Sequence, residues 1–122
     1  MGRQGEAAAA KALRKAGYKV LYRNYRAPHG GEVDLVCRHG ETLVFVEVKT
    51  RRTQTYGTPA EAVSPQKQEL IARGAISWLH LLRNPAIHFR FDIVEVRLSA
   101  NGRLEAAIIE NAFPLPERYR ID

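Results

Sequence analysis

The sequence predicts one α/β domain, residues 1–122, built on a mixed β-sheet of about five strands flanked by helices. Three observations carry that expectation. Two segments have the period of an amphipathic helix: Arg3–Ala16, and the stretch that follows Ser64-Pro65. Runs rich in β-branched residues lie between and after them, giving the order α-β-β-β-α-β-β. Two connections between strands carry hairpin turn residues, Gly40-Glu41 and Asn101-Gly102. A chain of 122 residues can bury roughly two-thirds of its unfolded surface in a single core. Its 45% hydrophobic and 26% charged content is that of an ordinary globular domain. The net charge of +6 favours an anionic partner, nucleic acid or a membrane surface. No apolar run approaches about 18 residues and no signal peptide is visible, so the expectation is a soluble cytoplasmic protein outside the membrane.

Arg3–Ala16 is alanine-rich and closed by Gly17 as the residue after the C-cap. Glu6 lies about 20° around the helix axis from Leu13 and shares its apolar stripe with Ala9. Lys11, Arg14 and Lys15 make the basic face. A carboxylate on a core-facing stripe needs a partner, unless Glu6 sits in the first turn and only complements the helix dipole. Tyr18–Arg26 follows as a strand. Its basic and aromatic mixture, with Arg23 and Arg26, suits contact with phosphates or an edge strand blunted by charge. Ala27-Pro28-His29-Gly30-Gly31 is a loop.

The central hairpin is the most informative stretch. With Gly40-Glu41 as a type II′ turn, His39 faces Thr42, Cys37 faces Val44, Leu35 faces Val46 and Val33 faces Val48. That face is wholly apolar, and a slip of one residue would invert it. On the other face Val36 meets Phe45, Asp34 meets Glu47, and Glu32 meets Lys49. Carboxylates on directly opposed residues have Cβ atoms about 5 Å apart and repel by roughly 3 kcal/mol at an effective dielectric of about 20. The pair needs a shared proton, cationic neighbours or a metal. Hard oxygen donors on two strands suit Mg²⁺ or Mn²⁺, which such sites hold with few carboxylates and several waters. The competing reading is a salt-bridged face on which a Glu32–Lys49 pair offsets the two acids.

The polar run Thr50–Gly57 has no helical or strand period and reads as a loop in which Arg51 and Arg52 are candidate phosphate clamps. Thr58–Glu61 has a capping-box pattern. Ser64-Pro65 opens the second helix as N-cap and N1, with Leu70, Ile71, Gly74, Ala75, Trp78, Leu81 and Leu82 as its buried stripe. Lys67 falls at its start. Ala86–Leu98 is a strand whose alternation changes phase at Ile93-Val94, as at a bulge or where both faces are covered. Asn101-Gly102 joins it to Leu104–Asn111. Asp92 reads either as a further acid near the site or, by preference, as a structural partner of Arg90. Cys37, the single cysteine, excludes an internal disulfide and reads as core.

Asp34, followed after twelve residues by Glu47-Val48-Lys49, resembles the D…E-x-K core of the restriction-endonuclease-like nucleases, among them the archaeal Holliday junction resolvases. GEVDLV, LVFVEVKTR, Tyr56-Gly57 and Arg90-Phe91-Asp92 resemble, more closely, the YraN family of small bacterial proteins. The resemblance implies a restriction-endonuclease-like fold and Mg²⁺-dependent (or Mn²⁺-dependent) hydrolysis of phosphodiester bonds in DNA. Asp34, Glu47 and the Val48 carbonyl would ligate the metal, and Lys49 would act on the attacking water and the phosphate. Glu6 matches the position of an acid on the first helix that reaches the metal, often through water, and Lys67 lies where a helix flanks the site and meets phosphate. Resembling resolvases act as dimers, so a homodimer belongs to the same implication, although no dimer face is legible. The alternative from another class is a nucleic-acid-binding module that keeps the fold and is catalytically silent.

Overall fold

In the computed structural model, which describes residues 2–51, 63–83 and 86–120, five strands form one sheet in sequence order. They are β1 (Lys19–Arg26), β2 (Glu32–His39), β3 (Thr42–Arg51), β4 (Phe89–Leu98) and β5 (Leu104–Phe113). Helix α1 (Gly2–Lys15) precedes the sheet and α2 (Pro65–Leu82) lies between β3 and β4. β1–β2, β2–β3 and β4–β5 are antiparallel, whereas β3 and β4 are parallel. A parallel pair cannot be closed by a tight turn, and the chain that contains α2 makes the crossover. The mixed sheet with flanking helices is therefore the one the sequence predicts.

The helices cover opposite faces. Ala9 and Leu13 of α1 pack with Leu35, Cys37, Val44, Val46, Val94 and Val96. Ile71 and Ala75 of α2 pack with Val36, Phe45, Phe91, Ile93 and Phe113. β4 is thus buried without a break from Phe91 to Val96, which explains why its alternation is lost in the sequence. The hairpin register is also as expected, with Leu35 opposite Val46, Cys37 opposite Val44 and His39 opposite Thr42. Only Gly40, at φ 63°, takes the left-handed conformation in that turn, as a type II′ geometry requires.

Several details depart from expectation. Val33 does not share a face with Leu35; it joins the α2 cluster beside Tyr25. The reason lies in the neighbouring strand: β1 has a bulge between Val20 and Tyr22, and its left-handed Asn24, at φ 54°, is opposite the point where β2 changes face. Leu70, Leu81 and Leu82 are exposed and are not part of the α2 core stripe. α2 is rotated so that Gly74 meets the sheet: a Cβ there would lie 2.9 Å from Val33 Cγ2 and 3.0 Å from Glu32 backbone. The β4–β5 connection is a three-residue loop, because Ser99 N–H donates to the Arg103 carbonyl and Gly102, at φ 82°, closes the turn. The capping-box pattern at 58–61 lies outside the described residues.

At the far end of the α1 face, fully buried Asp92 accepts from Tyr18 Oη at 2.7 Å, Arg90 Nε at 2.9 Å and Asn111 N at 2.9 Å. The Tyr18 ring stacks on His39 at 4.0 Å, and burial together with Asp92 pushes its hydroxyl pKa up. The Arg90–Asp92 pair is structural, as expected: it satisfies a buried charge and ties the exit of α1 to the sheet.

Candidate metal centre

The candidate site lies where β2 and β3 leave their regular ladder. The regular pairing of the two strands ends at Leu35–Val46. One residue further, Val48 N–H donates to Asp34 Oδ2 at 2.8 Å, so a side chain replaces the backbone acceptor. This holds the Asp34 carboxylate at the seam of the sheet. On the α1 side it lines a cavity of about 170 Å³ with Gly2, Glu6, Val48 and Thr50. Toward α2 it meets Glu47. Gly5 makes the α1 approach possible, since a Cβ there would fall 2.5 Å from Thr50 Oγ1.

Glu47 projects toward α2, and its side chain is only 4% exposed. Burial, then the Asp34 charge and a hydrogen bond between the two side chains, push its pKa up to about 8, against the pull of Lys67 and Lys49. Lys49 Nζ lies 3.7 Å and Lys67 Nζ 3.9 Å from Glu47 Oε2, while Oε1 is buried with no hydrogen-bond partner. Glu6 Oε1 is buried and unpartnered in the same way. Glu6 also lies beyond the first turn of α1, which contains no acid, so dipole complementation does not account for it.

Sequence reasoning missed how the cations are shared. Glu32 does not pair with Lys49. It accepts a short charged hydrogen bond from Lys67 and lies 3.4 Å from Arg26 Nη1, and the bond to Lys67 holds its pKa down. For Lys67, burial opposes the charge, but Glu32, Glu47 and Asp34 outweigh it and raise the pKa. Ser64 Oγ caps α2 by accepting from Lys67 N–H at 3.1 Å, which presents the lysine toward β2. The signal available in the sequence was the glycine pair Gly31 and Gly74: a Cβ at Gly31 would lie 2.5 Å from Gly74 N, so α2 is seated against the start of β2.

Asp34, Glu47, Lys49 and Lys67 therefore converge, with Glu32 behind Lys67, while Glu6 shares only the α1-side cavity with Asp34. Arg51 does not belong to a loop. It is the last residue of β3, 12% exposed, with Nε 3.7 Å from Glu95 Oε2. Arg52 lies outside the described residues, Arg26 is engaged by Glu32, and Arg23 is exposed on β1. A larger cavity of about 410 Å³, lined by His29, Arg73, Ser77, His80 and Tyr119 among others, has no carboxylate in its wall.

Among the described residues no three His, Cys, Asp or Glu side chains are grouped as a protein-only metal cage requires. Mg²⁺ needs no such cage, being held by one or two carboxylates with waters. Asp34 and Glu47 supply hard oxygens of that kind, and the unpartnered Glu47 Oε1 is a buried acceptor that still needs a cation or proton. The donor set fits a hard divalent ion.

A family model described as "Uncharacterised protein family UPF0102" matches residues 5–96, which contain every one of these side chains. The chain belongs to the UPF0102 family. This bears out the resemblance to YraN at the level of family. A UPF0102 protein of Symbiobacterium thermophilum is 48% identical over 113 residues, covering 93% of this chain and 95% of the relative. One from Geobacter sulfurreducens is 44% identical over 115 residues, 94% of this chain and 89% of its own. A third, from Caldicellulosiruptor saccharolyticus, is 41% identical over 114 residues, 93% and 96% of the two chains. The similarity of these UPF0102 proteins thus spans the sheet and both helices. Among the described residues no helix is long and apolar enough to cross a membrane.

Proposed function

We propose that this UPF0102 protein is a Mg²⁺- or Mn²⁺-dependent endonuclease that hydrolyses phosphodiester bonds in DNA. The observation that supports this best is the buried Glu47 carboxylate, with one unpartnered oxygen, set against Asp34 and flanked by two lysines. A purely structural acid pair in a sheet is unfavourable, and a salt-bridged face leaves no reason to bury the unpaired oxygen. Asp34, Glu47 and the Val48 carbonyl would hold the ion, whose chemistry is to polarise the phosphate and lower the pKa of water. Asp34 is fixed for this by the Val48 N–H. Lys49, on the solvent side of Glu47, would orient the attacking water and stabilise charge on the phosphate oxygens. Lys67 counters the negative charge of the pair before the ion arrives, and Glu6 would hold a water on the α1 side. The resemblance to Holliday junction resolvases favours branched DNA of repair or recombination as substrate.

The test is a cleavage assay of purified protein with Mg²⁺ or Mn²⁺ on single-stranded, duplex, flap and four-way DNA, alongside Asp34→Asn and Lys49→Ala. Cleavage by the wild type, lost in both variants, supports the reading. Binding without cleavage of any substrate would instead make the protein a catalytically silent nucleic-acid-binding module.

A further inference from the structure

We infer that DNA reaches the carboxylates across a cationic shelf between α1 and the edge strand β1, with Arg3, Arg14 and Arg23 as its phosphate contacts. This rests on the nuclease reading for what the shelf leads to, but not for the binding itself. The sequence points to Arg51, Arg52 and Lys67 as clamps, yet Arg51 is held by Glu95 and Lys67 by Glu32 and Glu47. Lys49 lies beside Glu47 and Arg26 beside Glu32. The cations nearest the acids are engaged with acids.

Three exposed arginines without an acidic partner among the described residues, Arg3, Arg14 and Arg23, lie on α1 and β1. Arg3 and Arg14 are exposed and eleven residues apart, which places them about 20° from one another around α1 and about 16 Å apart along it. Their flank of the helix is the one that faces β2. Glu6 lies with Asp34 in the small cavity, and the Arg14 charge is felt at Cys37. The opposite flank, with Ala8, packs in the cluster that takes in Leu104, Ala106 and Ile108 of β5.

Across the shelf, Arg23 is opposite Leu35, which belongs to the α1 cluster, so the arginine projects on that side. β1 is exposed at most positions and is an edge strand, so nothing among the described residues covers Arg23 from above. Two arginines along one wall and a third on the floor edge, with the cavity of Glu6, Asp34 and Thr50 at one end, match a linear polyanion. A compact anion would need the three charges to converge.

The probe is a short fluorescein-labelled DNA duplex, titrated by anisotropy in EDTA at several salt concentrations. Arg3→Gln/Arg14→Gln/Arg23→Gln is compared with a charge-matched control, Arg83→Gln/Arg103→Gln/Arg120→Gln, which removes exposed arginines elsewhere. The shelf variant is expected to bind more than tenfold more weakly at low salt, with the salt slope reduced by about 2.7. Arg→Lys at the three shelf positions should restore most of that slope, and thermal melts check that every variant is folded. An unchanged slope, or an equal loss in the control, overturns the shelf, as does a wild type that binds no DNA at low salt. Wild type that binds through the shelf but cleaves nothing with Mn²⁺ leaves the shelf standing and removes the nuclease reading. Cleavage that persists with an unaltered slope does the reverse.

Discussion

Replacing Glu47 by glutamine removes the acid of the pair while keeping its shape. In the metal-free protein Glu47 binds its proton up to about pH 8, whereas in the unfolded chain it releases it near 4.5. Between those values the folded state holds more protons than the unfolded state, so stability falls as pH rises. The stability is fully present below 4.5 and lost by the time the pH passes about 8. The full window corresponds to roughly 5 kcal/mol at most. For a domain of this size that amounts to a fall in Tm on the order of 15 °C. Glu47→Gln has no such titration. Thermal melts in EDTA from pH 4 to pH 9 should therefore show the two proteins alike at the acid end and the variant progressively more stable toward the alkaline end. Mn²⁺ at a hundredfold its Kd should return about 2.7 kcal/mol to the wild type and nothing to the variant. Melting curves for the two proteins that stay parallel across the whole pH range would refute the buried acid pair.

Further expectations follow from the same geometry. Mn²⁺ binding at pH 7 should release a proton from Glu47, seen in calorimetry as a dependence of the observed enthalpy on the ionisation enthalpy of the buffer, and this should vanish above about pH 9. Asp34→Asn keeps an acceptor for Val48 N–H, so the fold should survive while Mn²⁺ affinity in the same titration is lost. Lys67→Met leaves Glu32 and Glu47 without their shared cation and should lower apo stability at pH 7 by about 1–3 kcal/mol in urea unfolding. Gly5→Ala forces a methyl group onto Thr50 and should cost about 1–3 kcal/mol, and Thr50→Ala in the same chain should recover most of it.

Much of this architecture is legible in the residues because it rests on local rules. The β2–β3 register follows from a glycine turn and an apolar face that admit one alignment, and the start of α2 follows from Ser64-Pro65. What was not legible depends on long-range contact. Nothing near Val33 announces that β2 changes face there; the cause is a left-handed Asn24 on the neighbouring strand. Likewise Glu32 takes its cation from a helix 35 positions later, and only the seating of that helix decides between Lys49 and Lys67. Arg51 reads as loop because its surroundings are polar, yet it extends β3 beside Arg97 of β4 and finds Glu95. The exposed leucines of α2 show the same limit: the apolar stripe is broader than the contact, and Gly74 sets the rotation.

The parallel pairing of β3 and β4 has a consequence for the order of folding. Asp34 and Glu47 sit on one hairpin joined by a two-residue turn, a contact that forms on the microsecond scale of local closure. Lys67 reaches them only when the long crossover has closed and α2 has docked on Gly31, a non-local and therefore later event. For an interval the nascent sheet holds its two acids together without the lysine that will lie beside Glu47. Alkaline solution should then act on the folding limb of the chevron, slowing the approach to the native state, while the rate of unfolding stays nearly constant. A proton on Glu47 is the stand-in that lets the hairpin wait for the helix.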